Sequence, residues 1–232
     1  MKQRADIRLV ELGLCESRSQ AQRLIMAGQV RIGKDHLIQK PNEKVEAQVE
    51  LRLDSPSPYV SRGAEKLRPA LERFLPRLDN MTALDLGAST GGFTDLMLQR
   101  GARKVYAVDV GYGQLHGKLR KDPRVVSLER MNARDLTPQH IPETVNVLTA
   151  DVSFISLRKI LPVAAPFMKP GGIAFLLVKP QFEARRHEVK KGGVVRDPQV
   201  RQRCVNEVKE CAVRQLQWDF LATIPSPIQG PK

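Results

Sequence analysis

From residue 59 onward the sequence repeats one pattern. Short apolar runs at 83–86, 105–110, 125–128, 145–150, 173–178 and 220–224 are separated by segments whose apolar residues fall at helical spacing. Few folds accommodate that alternation. Strands that are each followed by a helix start again from the same end of a sheet, so they run parallel, and the intervening helices cover both faces. The predicted fold is therefore α/β, a mostly parallel sheet with helices on both sides. Ligands in such sheets bind beyond the carboxyl ends of the strands, where strand order reverses, so the loops after the strands are where chemistry is expected.

Residues 1–53 follow a different plan of helix, helix and short strands. A helix is predicted over 5–12, with Ile7, Val10 and Leu14 at helical spacing and Gly13 placed to end it in a left-handed conformation. Ser17 with Gln20 three residues on is a capping-box signature for a second helix; Ala21, Leu24 and Ile25 give its inner face and Gly28 stops it. Strands are expected at 30–32 and 48–53. The run Asp54-Ser55-Pro56-Ser57-Pro58 has the proline-rich punctuation of a linker, which leaves 59–232 as a second, larger domain.

Charge narrows the partners. Lys and Arg number 38 against 25 Asp and Glu, a net charge of +13. Such an excess points to a polyanion, either nucleic acid or an acidic membrane surface, with solubility as the bland alternative. No run approaches the roughly 18–20 apolar residues of a spanning helix. The Met-Lys-Gln-Arg start lacks the apolar segment of a secretory signal, so a cytoplasmic location is expected. Cys15, Cys204 and Cys211 form no C-x-x-C pair and lie far from the four histidines; they read as buried or idle thiols, and neither a metal site nor a disulfide is expected.

Between residues 18 and 34 the charged side chains include Arg18, Arg23, Arg31 and Lys34, with no acid before Lys34. A face loaded this way either sits on phosphates or is simply a solvated helix face. Here the residues Arg4-Ala5-Asp6, Leu9-Val10, Gly13-Leu14-Cys15, Ser17-Arg18, Ala21, Leu24-Ile25, Gly28 and Val30 resemble the RNA-binding module named after the fourth small-subunit ribosomal protein. That resemblance implies that the second helix and the adjoining turn bind structured RNA, with Arg4, Arg18, Arg23, Arg31 and Lys34 as contacts.

In the larger domain the first strand runs into Leu84-Asp85-Leu86-Gly87-Ala88-Ser89-Thr90-Gly91-Gly92-Phe93 and then into a helix that Gly101 closes. No Gly-Lys-Ser/Thr follows, so this is not a Walker loop, and the G-x-G-x-x-G spacing of a dinucleotide fingerprint is missing. Its small residues still let the backbone approach a ligand. Asp85 can accept hydrogen bonds from an ammonium group or hold the loop, and Asp109, ending the second strand, is placed to bind both hydroxyls of a ribose. An acid-glycine loop and a second acid about 24 residues on resemble the first two motifs of the Rossmann-like S-adenosylmethionine-dependent methyltransferases. The resemblance implies that Asp85, Gly87, Ser89, Gly91, Gly92 and Asp109 bind that cofactor. Asn132, in Met131-Asn-Ala-Arg-Asp135, falls where that family commonly recognises adenine, a turn-forming Asn being the alternative reading.

Three further residues stand at strand ends or helix starts facing the same presumed crevice: Lys66 ahead of the sheet, Asp151 closing the fourth strand and Lys179 closing the fifth. A lysine at the end of an apolar strand is unusual, because burial disfavours its charge. Their contexts are Tyr-Val-Ser-Arg-Gly-x-x-Lys-Leu (59–67), Leu-Asp-Leu-Gly-Ala-Ser-Thr-Gly-Gly-Phe-Thr-Asp (84–95), Val-Asp-Val-Gly-Tyr-Gly-Gln-Leu (108–115), Asp-Val-Ser-Phe-Ile-Ser-Leu (151–157) and Lys-Pro-Gln-Phe-Glu (179–183). They resemble the FtsJ-type ribose 2′-O-methyltransferases and, more closely and nearly end to end, the TlyA (haemolysin A) family of ribosomal RNA methyltransferases. The resemblance implies methyl transfer from S-adenosylmethionine to a ribose hydroxyl of ribosomal RNA or a ribosomal subunit, usually at cytidine. Lys179 would take the proton, Lys66 would stay charged and orient the hydroxyl or a phosphate, and Asp151 would fix a lysine. That family places a Glu just after a Gly-Pro-Lys-Gly-Asn stretch, whereas this sequence ends at Gly230-Pro231-Lys232, so it is expected to be truncated within the motif.

Basic segments flank these loops. The stretch 185–203 holds seven Lys or Arg against two acids and is expected to be mobile, and 100–134 adds nine against three. An electropositive catalytic face suits RNA phosphates, with Ser61, Arg62, Arg185, Arg186, Lys190 and Lys191 as contacts. Competing readings are weaker. A carbon-5 methyltransferase needs a nucleophilic Cys beside the fourth or fifth strand, and an amino-nitrogen enzyme needs an Asn/Asp-Pro-Pro-aromatic element where Asp151-Val-Ser-Phe stands. A membrane-damaging role would call for a long amphipathic or apolar segment, which the sequence does not offer. A non-catalytic RNA-binding protein that keeps the fold is the remaining alternative.

Overall fold

The computed structural model describes residues 2–26, 28–33, 36–38, 40–53, 58–190 and 192–228. Backbone contacts divide the chain into two compact units, Met1–Pro58 and Tyr59–Lys232.

The first unit runs β1 (Lys2–Arg4), α1 (Ala5–Glu11), α2 (Arg18–Met26), β2 (Val30–Ile32), β3 (His36–Leu37), β4 (Lys44–Glu46) and β5 (Leu51–Leu53). Strand β2 is the centre of an antiparallel sheet with β3 and β5, while β1 pairs antiparallel with β4. Gly13 does close α1 with a positive φ of 67°. The capping signature forms with a shift: Ser17 Oγ accepts the Gln20 amide at 3.3 Å, but Gln20 Oε1 accepts the amide of Glu16, not that of Ser17. Leu9, Ile25, Val30 and Ile38 fill the core. Within it lies Asp6, fully buried, whose carboxylate accepts from Arg4 Nε at 2.9 Å, Arg18 Nε at 3.0 Å and Gln22 Nε2 at 2.9 Å. The Arg4 hydrogen bond, joined by those from Gln22 and Arg18, outweighs burial and holds this carboxyl well below the usual carboxylate range. The pairing of β1 with β4 and the short β3 are absent from the sequence reading, and the strand expected over 48–53 begins only at Leu51.

The second unit contains α3 (Ala64–Phe74), β6 (Thr82–Leu86), α4 (Gly92–Gln99), β7 (Lys104–Val108), α5 (Gly117–Arg120), β8 (Val125–Leu128), β9 (Val145–Ala150), α6 (Leu161–Ala164), β10 (Met168–Leu176), α7 (Pro180–Glu183) and α8 (Pro198–Glu210). Among the described residues its five strands are parallel, in the order β10-β9-β6-β7-β8. The chain therefore builds outward from β6 to one side and then to the other, and strand order reverses between β6 and β9. Both faces of β6 are covered: Ala83 packs with Leu71, Leu96 and Met97, while Leu84 and Leu86 pack with Leu148, Ile160 and Leu161. This two-sided burial is why the strands read as continuous apolar runs.

One expectation needs correction. Segment 220–224 is not a strand. Phe220 and Leu221 stay substantially exposed, Pro225 and Pro227 just beyond remove amide donors, and the Phe220 ring instead lies 4.0 Å from Lys209 Nζ. Segment 185–203 includes regular elements in its described part. A 3₁₀ turn spans Arg186–Glu188, an isolated bridge joins Lys190 to Val194, and α8 starts at Pro198.

At the amino ends of the strands, opposite their carboxyl edge, Glu143 gathers Lys104 Nζ and Arg103 Nη2 at 2.7 Å each, Tyr106 Oη at 3.0 Å and Thr82 Oγ1 at 3.2 Å. The Lys104 bond chiefly, opposed by burial and helped by Tyr106 and Arg103, holds its carboxyl down to about 2 from 4.5. A depressed folded-state value stabilises above the unfolded value and is lost as pH falls, here between pH 4.5 and 2. Glu143→Gln is expected to lower the melting temperature at pH 7 by roughly 5 °C and to flatten its fall across that acid window, as measured by calorimetric scans. An unchanged acid limb would remove Glu143 from the account.

Candidate active site

Close backbone approach brings the site together. At Gly92 a Cβ would stand 2.4 Å from Ser61 Oγ and 2.8 Å from the Ala64 amide, so only glycine lets α4 start against the first turn of α3, which carries Lys66. Gly87, at φ 82°, passes the carbonyl of Asp151 so closely that a Cβ would be 2.7 Å from it. The Asp151 amide in turn donates to Leu86 O at 2.9 Å. The loops after β6 and β9 are thus pressed together where strand order reverses.

There, one carboxylate receives two amines. Lys66 Nζ lies 2.6 Å from Asp151 Oδ2, and Lys179 Nζ lies 2.6 Å from Asp151 Oδ1. Lys179 also donates to Ser153 Oγ at 2.9 Å and to the Asp151 carbonyl at 3.2 Å. All three side chains are largely buried: 26% of Lys66, 18% of Lys179 and 14% of Asp151 is exposed. Lys66 and Asp151 line a cleft of about 210 Å³ together with Ser61, Gly87, Ser89 and Thr90. Lys179 meets the same carboxylate at its other oxygen, with its amine 5.9 Å from the centroid of the Phe182 ring.

A second, smaller hollow shares Ala88 and Ser89 with this cleft and is lined also by Asp109, Gly111, Gln114 and Glu129. Asp109 Oδ2 accepts the Ser89 amide at 2.8 Å and Oδ1 accepts the Gly111 amide at 2.7 Å. Each oxygen keeps a lone pair for a further donor. The Ser89 bond accompanies a left-handed backbone at that residue, φ 49°.

Other residues singled out from the sequence lie elsewhere. Asp85 is fully buried and accepts from Thr94 Oγ1 at 2.7 Å and Thr149 Oγ1 at 2.8 Å, with burial pushing it up to about 6. It therefore holds the loop and does not face an ammonium group across the cleft. Asn132 Oδ1 accepts from the Arg134 amide at 3.1 Å and caps a 3₁₀ turn, the turn-forming alternative. Gly91 caps α4 with φ 97°. Arg4 and Arg18 are tied to Asp6, so part of their charge is spent inside the first unit. Arg23, Arg62, Arg185, Arg186 and Lys190 are exposed, and Arg31 is half-buried on β2. Lys34, Lys191 and the 230–232 tripeptide lie outside the described residues. Sequence reasoning overlooked Ser153 and Phe154, the latter 91% exposed at φ 63°, and also Phe182 and Glu183, all inside motifs it had quoted.

A glycine loop after the first strand, an acid after the second and a lysine pair at the switch point define the class, a Rossmann-like methyltransferase. Comparison with known proteins narrows it. Residues 59–232 match the FtsJ-like methyltransferase family and residues 3–51 match the S4 domain. The chain is 48% identical over 230 residues to the 16S/23S rRNA (cytidine-2′-O)-methyltransferase TlyA of Mycobacterium tuberculosis, covering 98% of this chain and 85% of that one. It is 41% identical over 227 residues to Hemolysin A of Brachyspira hyodysenteriae, covering 95% and 91%. The solved structure of a hemolysin-named protein of Streptococcus thermophilus superposes with a TM-score of 0.75 at 43% identity, covering 99% of this chain and 84% of that one. This chain belongs to the TlyA (haemolysin A) family, in which an FtsJ-like methyltransferase domain follows an S4 domain. Among the described residues no helix is long and apolar enough to cross a membrane.

Proposed function

We propose that this protein methylates a ribose 2′-hydroxyl of ribosomal RNA in the cytoplasm, with cytidine as the target nucleoside and S-adenosylmethionine as donor. The observation that carries this reading is the pair of amines on Asp151, beside a cleft that shares a wall with the Asp109 hollow. The names of the relatives support the substrate, and the S4 unit supports an RNA partner.

The donor fits what the residues offer. Gly87 and Ser89 present bare backbone to the cleft, and Asp109 keeps one free lone pair on each oxygen for the two hydroxyls of a ribose. Bound there, S-adenosylmethionine would supply a methyl group made electrophilic by its sulfonium. What the chain must then do is hold a weakly acidic hydroxyl in line and take its proton. Asp151 fixes both amines by spending one oxygen on each. Lys66, on the cleft wall with Asp151 as its ion-pair partner, keeps its charge and orients the hydroxyl oxygen. Lys179, after giving its own proton to solvent, accepts that of the hydroxyl.

Mass spectrometry of ribosomal subunits incubated with protein and donor should find a new methylated cytidine ribose; a methyl group on a base, or none, would overturn the reading. Calorimetry should show donor affinity falling about 10- to 100-fold for Asp109→Ala, the loss expected for hydrogen bonds to a charged acceptor. Equal affinity would count against the ribose assignment.

A further inference from the structure

Glu183 stands one turn beyond Lys179, at the end of α7, and its side chain is 1% exposed. The carboxylate reaches across to the segment after β9: Ser156 Oγ donates to it at 2.5 Å, the Leu157 amide at 2.7 Å, and Arg158 Nε at 3.4 Å. That segment also carries Ser153, whose hydroxyl holds the Lys179 amine at 2.9 Å. Between these two ends the rings of Phe154 and Phe182 meet at 5.1 Å. Residues 179–183 and 153–157 are therefore joined at three successive points, with the lysine at one end and the buried glutamate at the other.

We infer that Glu183 is a positioning residue for methyl transfer, setting where the Lys179 amine sits by fixing the Ser153–Leu157 segment against α7. A lysine side chain has four rotatable carbons, and its head goes where its acceptors are. Both hydrogen-bond acceptors of Lys179, Asp151 O and Ser153 Oγ, lie on a loop outside the sheet, and its contact with Asp151 Oδ1 is an ion pair from the same loop. Strand β9 ends at Ala150 and the Asp151 amide is held by Leu86 O, so the sheet's grip on this loop stops short of Ser153. Glu183 fixes it beyond that point by satisfying an interior amide and a hydroxyl together, and Arg158 balances its charge. A buried carboxylate is a costly way to gain stability alone, since apolar packing of similar volume often does as well. Its return here is geometric.

The inference rests on the assignment of Lys179 as proton acceptor, so the test carries both. Methyl transfer to ribosomal subunits and donor affinity would be measured for the wild type, Lys179→Ala, Glu183→Ala and Glu183→Gln. Glu183→Ala should lower kcat about 10- to 100-fold while donor affinity stays within about twofold. Glu183→Gln, which can still accept from the Leu157 amide, should regain most of the rate. Should the alanine variant fail to fold, Ser156→Ala, which removes one bond to the carboxylate, should lower kcat about 3- to 10-fold with donor affinity unchanged. A Glu183→Ala rate equal to wild type, a parallel loss of donor affinity, or no rescue by glutamine would each overturn the inference. If Lys179→Ala retained turnover, the underlying reading of the site would fail instead.

Discussion

Lys179→Ala is expected to lower methyl transfer by about three orders of magnitude while binding of donor and RNA stays close to wild type. A positioned proton acceptor contributes roughly 10²- to 10⁴-fold, and the loss falls on kcat because the amine acts on the proton as the methyl moves. The geometry argues for a specific deficit. Removing Lys179 leaves Lys66 paired with Asp151 and the Asp109 hollow untouched. Single-turnover assays with saturating donor would read the chemical step directly. Should Lys66→Ala abolish transfer while Lys179→Ala retains it, the roles of the two amines would be exchanged.

Asp151→Ala should damage both chemistry and fold. The carboxylate lies between two largely buried amines, and without it two positive groups face each other across a small gap. Breaking a buried ion pair from one side costs several kcal/mol, and partial exposure reduces that here to about 2–3 kcal/mol. The melting temperature should fall by roughly 5–10 °C, with part of the loss recovered at high salt, which screens the repulsion between the amines. Turnover should fall at least a hundredfold beyond the folded fraction, because neither amine keeps its position. Asp151→Asn retains volume and one acceptor and should restore most of the stability but little of the rate. Wild-type turnover in either variant would separate the cluster from the chemistry.

Much of this architecture could be read from the sequence because it is written locally. Strands β8 and β9 occupy the expected runs, since residues buried on both faces leave an uninterrupted apolar signature. The places of Asp109 and Asp151 were legible because polar residues at the ends of such runs fall at the carboxyl edge of a parallel sheet. What stayed hidden depends on partners distant in the chain. Asp85 has the spacing of a ligand contact, and only the arrival of Thr149 from β9 turns it inward. Arg18 looks like surface charge until α1 and α2 pack and bring it to Asp6, which Arg4 already holds from two residues away. The run at 220–224 has strand composition, yet composition does not supply a neighbour to pair with. Glu183 sits in a motif that was quoted in full, but no pattern within those five residues says that its carboxylate faces Leu157 rather than water.

The thiols of Cys15, Cys204 and Cys211 are all buried, and burial pushes each of them above its ordinary range. Reaction with a maleimide needs an accessible thiolate, which none of the three offers. A single cysteine introduced on the surface of either unit would therefore take up a fluorophore with little background, so that encounters with RNA can be followed by emission from one chosen point.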